Sequence, residues 1–187
     1  IFPCSSASSV IKRDIPEPRG IVQFSADVLL NKFVHISGAG GNGKSQYIVE
    51  LAKAYPSMMF VAPTWDAVKN ILDRAKELGV KINCATYHKV FGFGCRDTFP
   101  RDKYTRFVLD ECSMLSSENL KIIMTKLKQQ SLLISGDFWQ LPCISPDTPI
   151  YDNWTNIKSA EYEKFEIKEL TKNWRQKEDP EFFSLCN

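Results

Sequence analysis

The feature that most constrains this chain is an eight-residue stretch, Gly38-Ala39-Gly40-Gly41-Asn42-Gly43-Lys44-Ser45, set between an apolar run and a helical pattern. It fits the pattern G-x-x-x-x-G-K-[ST]. Glycines let the backbone curl so that successive N–H groups point inward at phosphate oxygens. The helix that follows adds the partial positive charge of its N-terminus. In such a loop Lys44 reaches the β- and γ-phosphates of a nucleotide and Ser45 ligates Mg²⁺. The loop works only where a strand delivers the chain to it and a helix carries the chain away, so it dictates an α/β arrangement around itself.

The remaining sequence follows the same rhythm. Strands are expected at "FVHIS" (33–37), "MMFVA" (58–62), "INCA" (82–85), "RFVLD" (106–110) and "SLLIS" (131–135). Helices are expected at 44–55, with Ile48, Leu51 and Ala52 on one face, and at 64–79, with Thr64 as N-cap and Gly79 as terminator. A third, 116–130, is opened by Ser116 with Asn119 three residues on. Strands alternating with helices argue a mostly parallel sheet with helices on both faces. Residues 92–105 read as an irregular loop, and residues 1–19, rich in Ser and Pro without periodicity, as a linker or N-terminal arm.

A metal-bound nucleotide also needs a carboxylate. "RFVLD" supplies one, because this apolar strand ends in Asp110-Glu111. A carboxylate at the C-terminal end of a parallel strand lies at the same sheet edge as the phosphate loop. Asp110 is placed to hold Mg²⁺, mostly through water, and Glu111 to polarise the attacking water.

Composition sets outer bounds. The chain has 187 residues, 43% of them hydrophobic, enough for one sizeable core. No apolar run approaches the length that spans a bilayer, and no membrane partner is expected. The start lacks the apolar core of a secretion signal; Ile1 in place of Met is expected of a piece of a longer protein. Six cysteines, at 4, 84, 95, 112, 143 and 186, form no C-x-x-C pair. Reduced thiols and an intracellular setting, nuclear or cytoplasmic, are therefore expected. A zinc reading on Cys84, His88 and Cys95 has the wrong spacing and lacks a fourth ligand. The net charge of +2 permits a polyanion partner without indicating one, so any basic surface must be local.

Six further stretches become legible around the loop: "GIVQFSADVLL", "FVAPTWDAV", "ATYHKVFGFG", "VLDECSML", "LLISGDFWQLP" and "ELTKNWRQKEDPEF". In that order they resemble the motifs of superfamily-one helicases, closest to the PIF and RecD-like branch. The most specific elements are G-D-x-x-Q-L-P at 136–142 and D-E-x-S-M-L at 110–115. Residues 20–187 resemble the first of two RecA-like motor domains; the second is absent from this chain and expected beyond Asn187. The resemblance implies an ATP-dependent 5′→3′ DNA helicase motor domain that hydrolyses ATP to translocate on single-stranded nucleic acid, DNA favoured over RNA. A viral-type superfamily-one RNA helicase and a nucleotide-binding switch without unwinding activity stand as alternatives.

The same resemblance assigns roles. Gln23 matches the glutamine that reads the adenine edge, against the plainer reading of an exposed helical Gln. Gln140 and Arg175 match residues that contact the γ-phosphate, Arg175 having a surface ion pair as its alternative. Thr64 matches a strand-phosphate contact, or serves only as a helix cap. Trp65-Asp66 replaces the family's usual Gly-Lys, removing a cation from the strand path and adding an aromatic ring. That ring is expected in the core, with stacking on a base as the alternative. Thr86 and His88 match a motif that contacts the strand backbone, His88 being otherwise a satisfied loop histidine. Cys112 and Cys143 depart from the family pattern beside the nucleotide motifs, as inert buried thiols or as oxidation-sensitive ones. Between His88 and Val108 there is room for no more than a short loop or pin.

Overall fold

The computed structural model describes residues 32–94, 96–137, 140 and 162–171. The proposed arm at 1–19, Gln23, Cys143 and Arg175 lie outside these residues. The described residues form six strands: β1 (Phe33–Ser37), β2 (Met58–Ala62), β3 (Asn83–Thr86), β4 (Arg106–Leu109), β5 (Ser131–Ser135) and β6 (Glu166–Glu169). The helices are α1 (Lys44–Leu51), α2 (Trp65–Glu77), α3 (Tyr87–Phe91) and α4 (Ser117–Lys126). The strands form one sheet in the order β3-β2-β4-β5-β1-β6, and every pairing is parallel. This is the RecA-like α/β fold.

Strand periodicity splits the core in two. Met58 and Phe60 of β2, with Val34, Ile36, Val108 and Leu133, pack on Ile48 and Val49 of α1 and Val68, Ile71 and Ala75 of α2. The alternate residues Met59, Val61, Phe107, Leu109, Leu132 and Ile134 pack on Val90 and Phe91 of α3 and Leu120 and Ile123 of α4. Because both faces are covered, β2 is buried at all five positions, which is why it reads as an unbroken apolar run.

The caps behave as the local chemistry requires. The Thr64 hydroxyl accepts from the Ala67 N–H at 3.2 Å, and Ser116 accepts from the Asn119 N–H at 3.2 Å. Two helices are shorter than their patterns suggest. α1 stops at Leu51 because the chain tightens into i→i−3 bonds, Lys53 N–H to Glu50 and Ala54 N–H to Leu51, both 3.1 Å, ahead of Pro56. α4 stops at Lys126, whose ammonium donates to the Phe91 carbonyl at 2.5 Å.

The sequence reading missed β6. Its residues, Glu-Ile-Lys-Glu, pair with β1 alone among the described residues, and Ile167 is 55% exposed, so a core-facing pattern never forms. The stretch 92–105 is a loop, but an anchored one. Asp97 takes Arg101 at 2.6 and 2.8 Å and Lys126 at 2.9 Å, while Arg101 also donates to the Val90 carbonyl at 2.8 Å. These bonds clip the loop to the end of α3 and to α4.

Candidate nucleotide site

The phosphate loop leaves β1 at Ser37 and closes on the residue that follows β6. The Leu170 N–H donates to the Ser37 carbonyl at 2.8 Å, and the Asn42 amide donates to the Leu170 carbonyl. Gly38 has φ +150, and a Cβ there would lie 2.7 Å from the Leu170 oxygen, so no side chain fits. Lys44 opens α1 and folds back over the loop, donating to the Gly38 carbonyl at 2.5 Å and the Ala39 carbonyl at 3.0 Å. Burial lowers its pKa, opposed by Asp137, Asp110 and Glu111. A half-buried ammonium bonded to loop carbonyls can turn to phosphate oxygens without crossing the site.

Ser45 joins the loop to the second motif. Its Oγ donates to Asp110 Oδ2 at 3.0 Å. Asp110 prolongs the ladder past β4, its N–H donating to the Val61 carbonyl at 2.9 Å, and it is buried. Burial pushes its carboxyl upward, against the hydrogen bond from Ser45, the Glu111 backbone and the charge of Lys44. Glu111 has φ 54, the one positive φ at a non-glycine among the described residues. A side chain held in the left-handed region stores local strain, which persists only where surrounding contacts dictate it. Burial first, then the Asp110 charge, raise its pKa, so its oxygen is more basic than that of an ordinary carboxylate. Gln140 stands on the same edge: its N–H donates to the Asp137 carbonyl at 3.1 Å, and its amide nitrogen lies 3.5 Å from where a Cβ on Gly40 would project.

The hard oxygens of Ser45 and Asp110 suit Mg²⁺, which takes few protein ligands and keeps its waters. Among the described residues no group of three His, Cys, Asp or Glu could hold a metal by itself, and Cys95 lies outside them. Cys84 is partly buried, and burial pushes its thiol up to about 12. Cys112 is buried and its thiol is likewise pushed up, which makes it an inert thiol and not a reactive one.

The four candidate strand contacts gather at the other half of this edge, beyond β2 and β3. Thr64 is exposed while capping α2. Trp65 is 66% exposed, which corrects the expectation that it packs in the core. It occupies the first turn of α2, where its direction is outward, and the inward positions of that helix belong to Val68, Ile71 and Ala75. Thr86 is nearly buried and its hydroxyl caps α3, accepting from Lys89 N–H at 3.5 Å. His88 lies on α3, exposed, stacked on Tyr87 with centroids 4.6 Å apart and edge-on to Phe93 at 6.0 Å. No helix among the described residues is long and apolar enough to cross a membrane.

A phosphate loop and paired carboxylates on one parallel sheet define a broad class, and residues 23–146 match the AAA domain family. The chain belongs to that family. This AAA domain also superposes on solved helicase structures. Bacteroides Pif1 bound to ssDNA is 23% identical with a TM-score of 0.64, over 86% of this chain and 43% of that one. Bacteroides Pif1 with ADP-AlF3 and ssDNA is 23% identical with a TM-score of 0.63, over 84% and 42%. Arterivirus nonstructural protein 10, a helicase in complex with DNA, is 19% identical with a TM-score of 0.51, over 73% and 35%. The likeness lies in the fold, and the AAA domain chain spans less than half the length of these proteins.

Proposed function

We propose that this chain is the first motor domain of an ATP-dependent DNA helicase that moves 5′→3′ along single-stranded DNA. The observation that carries the reading is the Ser45–Asp110 hydrogen bond, 3.0 Å, with Lys44 and Glu111 beside it at the C-terminal sheet edge. The fold shared with Pif1 proteins solved with ssDNA and ADP-AlF3 supports a nucleotide substrate and a single-stranded DNA track.

In this reading the loop amides and Lys44 bind the β- and γ-phosphates of ATP, Lys44 exchanging the carbonyls of Gly38 and Ala39 for phosphate oxygens. Ser45 and Asp110 would hold Mg²⁺, which would supply neutralising charge to the phosphates. Glu111 orients the attacking water and takes its proton, and Gln140 contacts the γ-phosphate. Gln23 reads the adenine, and Arg175 approaches the γ-phosphate near the boundary with a second motor domain. Closure and reopening of the two domains then moves a strand held at Thr64, Trp65, Thr86 and His88. An intracellular setting belongs to the same reading.

The test is strand-stimulated phosphate release, followed by unwinding of forked DNA and forked RNA by the protein carrying both motor domains. Preferential DNA unwinding is expected. Preferential RNA unwinding would favour a viral-type RNA helicase, and absence of hydrolysis would leave a nucleotide switch.

A further inference from the structure

A buried polar node lies beneath the nucleotide site, and none of the roles above uses it. His35, in the middle of β1, is 1% exposed. Its Nδ1 lies 2.6 Å from the hydroxyl of Tyr162, in the helical turn Tyr162–Lys164 that precedes β6. Its Nε2 lies 3.9 Å from Cys112 Sγ. The ring also hydrogen-bonds the backbone of Gly136, whose N–H is already given to the Ile36 carbonyl at 3.3 Å, so the Gly136 carbonyl is the partner. A neutral imidazole has one donor and one acceptor nitrogen. The Tyr162 hydroxyl and the Cys112 sulfur thus meet opposite nitrogens of the ring.

A polar ring inside a sheet is costly unless satisfied, and an apolar side chain would fill β1 without that cost. What distinguishes His35 is where its partners lead. Cys112 directly follows Glu111, and Gly136 begins the segment that runs through Asp137 to Gln140. The two segments are in close contact: a Cβ on Gly136 would lie 2.6 Å from Cys112 Sγ and 2.9 Å from the Cys112 nitrogen. His35 bridges them at this point, with the Tyr162 hydroxyl fixing the rotation of its ring. Tyr162 in turn belongs to the stretch whose far end, Leu170, accepts from Asn42 of the phosphate loop.

We propose that His35, oriented by Tyr162, is a positioning residue for ATP hydrolysis, setting Glu111 and Gln140 relative to each other while nucleotide binding is left to the phosphate loop. This rests on the hydrolase reading above. Misplacement of a reacting group by about 1 Å can cost on the order of 100-fold in rate, so the signature is a loss of rate with affinity retained.

The experiment measures single-turnover hydrolysis of Mg·ATP and affinity for a fluorescent ATP analogue, in wild type and three variants. Tyr162→Phe keeps the ring that stacks on Phe165 at 5.8 Å and removes only the hydroxyl. It is expected to slow hydrolysis about tenfold with affinity changed less than about twofold. His35→Leu is expected to lose more, and His35→Gln, whose amide keeps a donor group and an acceptor, to recover part of the loss. Wild-type hydrolysis rates in Tyr162→Phe and His35→Leu would overturn the inference alone. So would parallel losses of rate and affinity with no rescue by His35→Gln, the pattern of a merely structural residue. No hydrolysis by the wild-type protein would overturn the hydrolase reading, and this inference with it.

Discussion

Ser45 Oγ donates to Asp110 Oδ2 across 3.0 Å, tying the first turn of α1 to the end of β4. The two residues are 65 positions apart in sequence and meet because β1 and β4 both flank β5. Lys44 stands beside this pair, its ammonium resting on the Gly38 and Ala39 carbonyls. Lys44→Ala should abolish ATP turnover, by more than about 100-fold, while the thermal midpoint stays close to wild type. Near-normal phosphate release by this variant would remove the loop from the mechanism.

Glu111 is expected to act after binding. Glu111→Gln keeps the shape and the left-handed backbone but loses the basic oxygen, so ATP affinity should persist while hydrolysis falls by roughly 100-fold or more. Titration and single-turnover kinetics separate the two quantities. Loss of affinity together with rate would make Glu111 a structural or metal-site residue.

Trp65 presents its ring to solvent at the edge where a strand would pass. Stacking of a base on an aromatic ring contributes roughly 1–3 kcal/mol. Trp65→Ala should then weaken binding of an oligodeoxynucleotide by about 5- to 100-fold, with nucleotide affinity unchanged. Equal oligonucleotide affinity in variant and wild type, read by fluorescence anisotropy, would leave Trp65 without a role on the strand.

Asp97 is the junction of Arg101 and Lys126, and their hydrogen bonds, Arg101 foremost, hold its carboxyl well below the usual range. The side chain is 29% exposed, so solvent screening limits its worth. Asp97→Ala is expected to cost roughly 1 kcal/mol and to lower the thermal midpoint by about 2–4 °C. Cleavage in 92–105 by a protease should quicken. An unchanged midpoint and cleavage rate would show that the loop is held by Phe91, Phe93 and Phe99 alone.

His35 gives a pH signature. Burial lowers its pKa from the ordinary 6.5 to about 4, with Lys44 reinforcing the shift and Gly136 and Asp137 opposing it. Between those values the unfolded chain takes up a proton that the folded chain refuses, so stability falls as pH drops from 6.5 towards 4. The ceiling is about 3 kcal/mol, from roughly 1.4 kcal/mol per unit. Asp110 and Glu111, both raised, act in the opposite sense, so the quantity to compare is the difference between wild type and His35→Gln. Denaturant melts at pH 7 and pH 4.5 should show a shallower loss in the variant; identical slopes would place the proton elsewhere.

Much of the site was legible in the sequence because its chemistry is local. Gly38 to Ser45 are contiguous, and Asp110-Glu111 closes a short apolar strand, so strand, loop and helix periodicities locate both without a tertiary contact. Strand β2 was equally plain, since burial on both faces leaves no polar alternation to misread, whereas β3 runs one residue later than expected, over Asn83–Thr86. The caps at Thr64 and Ser116 are i to i+3 bonds, again within reach of a local reading.

What the sequence by itself determined, then, is the phosphate loop, the carboxylates, the caps and the α/β rhythm, each set by neighbours a few residues away. Only the tertiary structure decided the strand order, the membership of β6, the outward turn of Trp65, the Asp97 clip and the His35–Tyr162–Cys112 node. β6 is charged and short, and it becomes a strand only because β1 offers an open edge. Trp65 faces outward because Val68, Ile71 and Ala75 already fill the inward face of α2. His35 and Tyr162 are 127 residues apart, and no local pattern brings them to 2.6 Å. Their contact exists because β6 pairs in parallel with β1, so the turn that leads into β6 comes to lie against the middle of β1.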